Sequence, residues 1–305
     1  MSPIDFLTDL LNPDLAFLPK ALVVAVMSAA VCGVVGTHVV LRGMAFIGDA
    51  VAHAVFPGLA IAFAVSGNLA LGGAIAGVIT AVLVAVLSQN RRLKEDSVIA
   101  ILFVAAFGIG IVVISAVPGY GGSLQHFLFG SIAGIPDSDL YMVAGTGIGI
   151  LAAMFIFHQE FVAIGLDRDF ARTQGIKVFR YDLLLYVLVT LAVVISVQTI
   201  GNILVLALLV APAATARLLT DSLAAMMAIA PAIGAVSATV GLYISWSWDL
   251  PTGGTIVLVL TAAFLAAWLL SPRRGRRSRS IPATMATRRS QKRATPSTTA
   301  IRSGS

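Results

Sequence analysis

Apolar residues run in stretches of membrane-span length through most of the chain, separated by short polar connections. The runs fall at about 18–41, 45–65, 69–88, 97–117, 140–157, 183–200, 202–219, 223–246 and 254–271. Each approaches the ~20 residues that a helix needs to cross the hydrocarbon of a bilayer. The pattern predicts an all-α, polytopic membrane protein with about nine transmembrane helices, in a range of eight to ten. Gln198, Gly201 and Asn202 interrupt 183–219. That stretch reads either as two spans or as one long kinked or broken element. The domain organisation is a transmembrane domain over 1–272 followed by a polar tail over 273–305.

Three connections carry their own pattern. Residues 3–11 set Ile4, Phe6, Leu7, Leu10 and Leu11 against Asp5 and Asp9, which predicts a short interfacial helix. Residues 118–139 combine Gly119, Gly121 and Gly122 with an apolar Phe127–Ile132 and then Pro136-Asp-Ser-Asp139. This stretch is too short and broken to span and reads as re-entrant or surface-lying. Residues 158–182 are charged. Asp167 to Gln174 has helix-forming character and Gly175 is a natural stop. A charged helix at such a corner is a docking surface for a soluble partner.

Composition excludes a water-soluble domain. The chain is 58% hydrophobic and 11% charged, with mean hydropathy +0.97, whereas soluble domains carry roughly 25% charged residues. The net charge of +6 belongs to the tail: residues 273–305 hold nine Arg, one Lys and no acid, leaving ten basic against fourteen acidic residues elsewhere. A basic tail beside a last span touches anionic lipid and marks the cytoplasmic side. Nothing else in the chain supports nucleic-acid binding. With nine spans threaded in order, Arg42, Arg91, Arg92, Lys94, Arg168, Arg172, Lys177, Arg180 and Arg217 share the tail's side, and only Lys20 falls opposite. The N-terminus is then outside and the C-terminus cytoplasmic in a plasma membrane. The first fifteen residues hold three Asp and no Lys or Arg, unlike a cleaved secretion signal. The single cysteine, Cys32, excludes an intrachain disulfide and reads as a small buried apolar residue.

Against this background Asp49 and His53 stand out. They lie four residues apart in Ile47-Gly-Asp-Ala-Val-Ala-His-Ala-Val-Phe-Pro-Gly58, so a helix presents both on one face. Counted along a helix from Arg42, they sit about 10 and 16 Å into the membrane at ~1.5 Å per residue. Ionisable groups at such depth are costly and mark function. Carboxylate plus imidazole is a ligand pair for a divalent first-row metal. One helix supplies two ligands, too few for a specific site; a two-fold dimer with this helix near its axis supplies four. Such a set suits Mn, Zn or Fe(II) rather than Mg or Ca. Pro57-Gly58 predicts a kink or break that frees carbonyls nearby. The alternative for the pair is an ordinary helix-packing hydrogen bond.

The remaining polar residues are weaker candidates. His38 reads as a packing residue, His126 as part of the outer segment, and His158 as solvated. Gln198 and Asn202 hydrogen-bond between helices by default and are candidates for the wall of a pathway. Gly73-x-x-x-Gly77 and Gly145-x-x-x-Gly149 predict close helix approach, and Val210–Ala216 a tightly packed or discontinuous helix. No His-Glu-x-x-His, Gly-x-x-x-x-Gly-Lys or Gly-x-Ser-x-Gly occurs. The chain therefore reads as a transport component without a nucleotide site of its own, not an enzyme.

Gly48-Asp-Ala-Val-Ala-His-Ala-Val-Phe-Pro-Gly58 closely resembles the signature of the permease subunit of bacterial zinc/manganese/iron ABC importers. So do Arg92-Leu-Lys-Glu-Asp96, His126-Phe-Leu-Phe-Gly130, Leu209-Val-Ala-Pro-Ala-Ala-Thr-Ala-Arg-Leu-Leu219 and Asp249-Leu-Pro-Thr-Gly253. The resemblance runs from about residue 20 to 272. It implies a homodimeric membrane core related to the vitamin B12-type ABC permease fold, a cytoplasmic ABC ATPase dimer beneath it, and an extracytoplasmic metal-binding protein that delivers cargo. It maps the family's metal pair onto Asp49 and His53. It maps the coupling segment onto roughly 163–177, where Asp167, Asp169, Arg172 and Gly175 fall. The metal is cargo, and no permanently bound cofactor is implied. Three rivals stand beside this reading: a proton-coupled secondary transporter with Asp49/His53 as relay, an intramembrane metalloenzyme, and a siderophore or cobalamin permease.

Overall fold

The structure is a computed structural model that describes residues 3–65, 67–89, 95–116 and 137–271. The chain divides into two units, Met1–Leu269 and Leu270–Ser305, and the architecture below is that of the first. The helices are α1 (Pro3–Leu10), α2 (Phe17–Leu41), α3 (Ile47–Ala54), α4 (Phe56–Ala64), α5 (Leu69–Leu87), α6 (Glu95–Ser115), α7 (Asp137–Ile156), α8 (His158–Leu166), α9 (Arg168–Thr173), α10 (Val178–Ile200), α11 (Asn202–Leu219), α12 (Leu223–Trp248) and α13 (Thr252–Leu270). No strand occurs among the described residues. In a bilayer the backbone must satisfy itself, and a helix does so within one segment.

All nine apolar runs are helical. Seven are long and apolar enough to span: α2, α3 with α4 as Ile47–Ala64, α6, and α10 to α13. An eighth is reached if α7 and α8 form one element bent by 62°, and Leu71–Leu87 is a shorter apolar helix. The stretch 183–219 resolves into two helices that part at Gly201, whose φ is +84°.

The core is built around α2, which packs against α12, α11, α7 and α10. From Val31 to Val39, including Cys32, it is buried on every side, as a helix segment at the centre of a bundle must be. Gly33 and Gly36 set its distance to its neighbours. A Cβ on Gly33 would lie 2.7 Å from the Pro231 backbone nitrogen, and one on Gly36 would overlap the Leu209 carbonyl oxygen. Small residues at such crossings let backbones meet without lipid between them. Two threonine hydroxyls inside the bundle bond their own helix. Thr37 donates to the Gly33 carbonyl at 2.9 Å, and Thr215 to that of Ala211 at 2.7 Å.

The two glycine pairs of the sequence behave differently. Gly73 and Gly77 face Val55 and Thr190 closely, as their spacing predicts. Gly145 and Gly149 face open space among the described residues, so this second pair makes no close approach to any of them. The stretch Val210–Ala216 lies within one continuous helix despite Pro212, with Ala213 and Ala216 fully buried. It is tightly packed rather than discontinuous.

The predicted N-terminal helix is α1. Phe6 meets Tyr243 edge to face at 5.4 Å, Phe17 meets Trp246 at 5.6 Å, and Trp246 Nε1 donates to Asp9 Oδ2 at 2.9 Å. Ile4, Leu7 and Leu11 are exposed. Paired Trp and Tyr beside an amphipathic helix are an interfacial signature.

Residues 158–182 are more ordered than a charged loop. α8 follows α7 directly, then Asp167 caps α9 by accepting from the N–H groups of Asp169 and Phe170 at 2.9 and 3.0 Å. Gly175 ends the turn at φ +80°, as its position predicts. Most of the outer segment 118–139, with His126, and the tail 273–305 lie outside the described residues.

Candidate metal centre

The chain leaves α2 at Arg42, turns through Gly43 at φ +71°, and re-enters helix at Ile47. Depth counted along one continuous helix from Arg42 therefore does not apply. Asp49 lies in the first turn of α3 and His53 in its last. The helix is interrupted at Val55, ahead of Pro57. The N–H that Pro57 lacks is the one that would meet the His53 carbonyl four residues earlier. The interruption stays local, because Ile47–Ala64 remains a single span.

Asp49 and His53 do share a face. His53 Nε2 is 3.4 Å from Asp49 Oδ1, and their side chains are 22% and 32% exposed. The imidazole is held from behind by two rings of α6: Phe103 and Phe107 meet it edge to face at 5.1 and 5.2 Å. Phe107 also leans on Phe56 at 6.1 Å. Two aromatic edges fix the plane of the ring and leave Nε2 toward the carboxylate. Asp49 opens on a groove of about 580 Å³ whose other walls are α11 and α13, lined by residues such as Ile203, Leu206, Val210, Val257 and Phe264. Apart from Asp49 and Thr261, those walls are apolar. The pair can share a proton or a cation. Among the described residues, no group of three or more His, Cys, Asp or Glu is placed to hold a metal ion.

The other candidates separate. Asn202 is buried at the start of α11, and its Oδ1 has no hydrogen-bond partner. Gln198 lies on the last turns of α10, with its side chain outside the described residues. Asn202 is not among the described residues lining the Asp49 groove. His38 is buried as a packing residue, as expected. His158 is not simply solvated: its ring packs edge to face on His38 at 6.1 Å, and its Nδ1 is buried. The sharp bend between α7 and α8 tucks it there. Asp167, Asp169 and Arg172 cluster on α9 and its cap, with Arg172 Nη1 3.3 Å from Asp169 Oδ1, and Phe170 beside them is 58% exposed.

One group escaped the sequence reading. Asp182, buried in the first turns of α10, binds Arg42 at 2.7 Å and Arg168 at 2.6 Å. Its only sequence signal is an acid placed just ahead of an apolar run.

A bundle of span-length apolar helices defines a multi-pass membrane protein, and sequence comparison gives its family. The profile of the ABC 3 transport family matches residues 14–271, and the chain belongs to that family. It is 40% identical over 275 residues to the manganese transport system membrane protein MntC of Halalkalibacterium halodurans, covering 90% of this chain and 94% of that one. It is 38% identical over 260 residues to a Haemophilus influenzae protein described as an iron transport system membrane protein, covering 85% and 92%. Among solved structures, PsaBC from Streptococcus pneumoniae in complex with Fab superposes with a TM-score of 0.78 at 32% identity, covering 93% of this chain and all of that one. An inward-facing metal-chelate type ABC transporter, at 16% identity and a TM-score of 0.64, shares the fold.

Proposed function

We propose that this chain is the membrane permease subunit of an ATP-driven importer for a divalent transition metal, Mn, Fe or Zn. The ion pauses between Asp49 and His53 of two copies of the chain related by a two-fold axis. The observation that carries the reading is the 3.4 Å separation of His53 Nε2 and Asp49 Oδ1. Two donors each about 2.1 Å from one ion, at a tetrahedral angle, stand about 3.4 Å apart. The pair is thus spaced to grip a single ion without a change of rotamer. Two ligands from one chain leave half a coordination shell to be filled, and a symmetry mate supplies an identical half. The apolar walls of the Asp49 groove suit a second copy of the chain at its rim. The manganese and iron assignments of the relatives support the metal class. Imidazole with carboxylate serves all three metals.

In this reading the N-terminus faces outward, the C-terminus and its basic tail face the cytoplasm beside anionic lipid, and the protein resides in the bacterial plasma membrane. An extracytoplasmic metal-binding protein delivers the ion. Gln198 and Asn202 contribute to the pathway wall. A cytoplasmic ABC ATPase dimer docks on α9 through Asp167, Asp169, Arg172 and the turn at Gly175, with exposed Phe170 as its apolar anchor. Interface energy concentrates in such anchors. Phe170→Ala combined with Arg172→Glu is therefore expected to cut recovery of the ATPase with the tagged permease by about tenfold. Metal binding by the permease itself is expected to stay unchanged. Undiminished recovery would move the docking surface elsewhere.

The reading as a whole is tested in proteoliposomes that hold the permease, its ATPase and its binding protein. ATP-dependent accumulation of Mn(II), insensitive to collapse of the proton gradient, is the expected result. Uptake by the permease alone, driven by a pH gradient, would replace the importer with the proton-coupled transporter.

A further inference from the structure

We propose that Asp182 is a positioning residue that ties the ATPase-docking helix to the turn leading into α3, the helix of Asp49 and His53. It rests on the importer reading above. Asp182 is 2% exposed and spends one carboxylate oxygen on each of two guanidinium groups. Oδ1 accepts from Arg42 Nη1 at 2.7 Å, and Oδ2 from Arg168 Nη2 at 2.6 Å. Arg42 also donates through Nη2 to the Phe161 carbonyl of α8 at 3.2 Å. These are short, charge-assisted bonds of the strong kind. Their placement matters more than their strength. Arg168 is the first residue of α9, Asp182 lies in the first turns of α10, and Arg42 closes α2 immediately before the Gly43 turn into α3. Asp49 follows Arg42 by seven residues.

One carboxylate therefore joins the docking helix, a core helix and the hinge of the metal-bearing helix. Among the described contacts, Asp182 is what the two cations share. Arg42 is buried and Arg168 half-exposed, and two guanidinium groups that lose the carboxylate they share repel one another. A displacement of α9 is thus conveyed through Asp182 to Arg42, and from there to the turn on which α3 pivots. Without the carboxylate, α9 can still engage the ATPase but no longer pulls on that turn.

The experiment measures Mn(II) imported per ATP hydrolysed by the complete importer in proteoliposomes. Asp182→Asn keeps the shape of the side chain and removes its charge. It is expected to lower the ratio about tenfold, within the usual range of coupling between sites, while ATP hydrolysis stays within about twofold of the unsubstituted complex. Asp182→Glu, which keeps a carboxylate in reach of both arginines, is expected to recover most of the loss. A ratio unchanged in Asp182→Asn, or no recovery in Asp182→Glu, would overturn the proposal. If Asp182→Asn does not assemble, Arg168→Gln removes only the half-exposed arm of the network. A lowered ratio there supports the tie, and an unchanged one overturns it. An unsubstituted complex without ATP-dependent uptake would instead remove the importer reading, so the two failures are told apart by the control.

Discussion

Asp49→Asn and His53→Ala are each expected to abolish Mn(II) uptake by the reconstituted importer while the permease still folds and assembles with its ATPase. Both side chains are partly exposed on one face of α3, and a single polar contact at 3.4 Å joins them. Little of the fold hangs on either group. Asp49→Asn preserves size and removes the anionic oxygen. His53→Ala removes the nitrogen and leaves a gap in front of Phe103 and Phe107, which α6 still holds. In the proposed dimer each substitution acts twice, so two of the four proposed ligands are lost at once. The loss should exceed the ~10–100-fold that follows removal of a group standing behind the ligands of a metal site. The check is paired. Metal content of the purified permease after equilibration with Mn(II) should fall to background, while its elution volume and ATPase binding match the unsubstituted protein. Uptake within about twofold of normal in either variant would dismiss the assigned site, since a ligand worth so little is not a ligand.

Much of this molecule is legible from residue order because a bilayer offers the backbone few choices. Apolar length reads directly as helix, and every one of the nine runs is helical. The i, i+4 spacing of Asp49 and His53 places them on one face for the same reason. Gly175 reads as a stop because a left-handed φ follows a short capped helix. What escapes is whatever depends on contacts between distant segments. Asp182 finds Arg42 across 140 positions, and no local pattern announces that partnership. The rings that steady His53 are hidden in the uniform apolarity of α6, where Phe103 and Phe107 look like lipid-facing bulk. Gly145 and Gly149 carry a helix-packing spacing yet meet nothing among the described residues, because spacing states what a surface permits and not what lies opposite. Counting depth from Arg42 fails for a related reason. It assumes that the helix continues, whereas Gly43 turns the chain and starts a new one.

The second large effect is expected at Gly58, the last residue of the signature segment. α4 and α5 cross there with their backbones in contact. A Cβ on Gly58 would overlap the Gly72 carbonyl oxygen and lie 2.6 Å from the Ala76 Cβ, and one on Gly72 would lie 2.6 Å from the Ala62 Cβ. The obstruction at Gly58 includes backbone, so no rotamer change relieves it and the helices must part. Gly58→Val is therefore expected to destabilise the protein by about 3 kcal/mol, the upper part of the range for overpacked interiors. In a chain of this size that lowers the apparent melting temperature by roughly 5–10 °C. Uptake should fall as well, because α4 continues directly from α3 in one span. Moving α4 off α5 shifts the helix that holds Asp49 and His53 relative to Phe103 and Phe107. Gly145→Val is the matched control, since a Cβ there meets nothing within 4 Å. Thermal unfolding of both variants in detergent, followed by uptake in proteoliposomes, makes the comparison. Equal melting temperatures would mean that α4 and α5 do not touch as closely as Gly58 and Gly72 require.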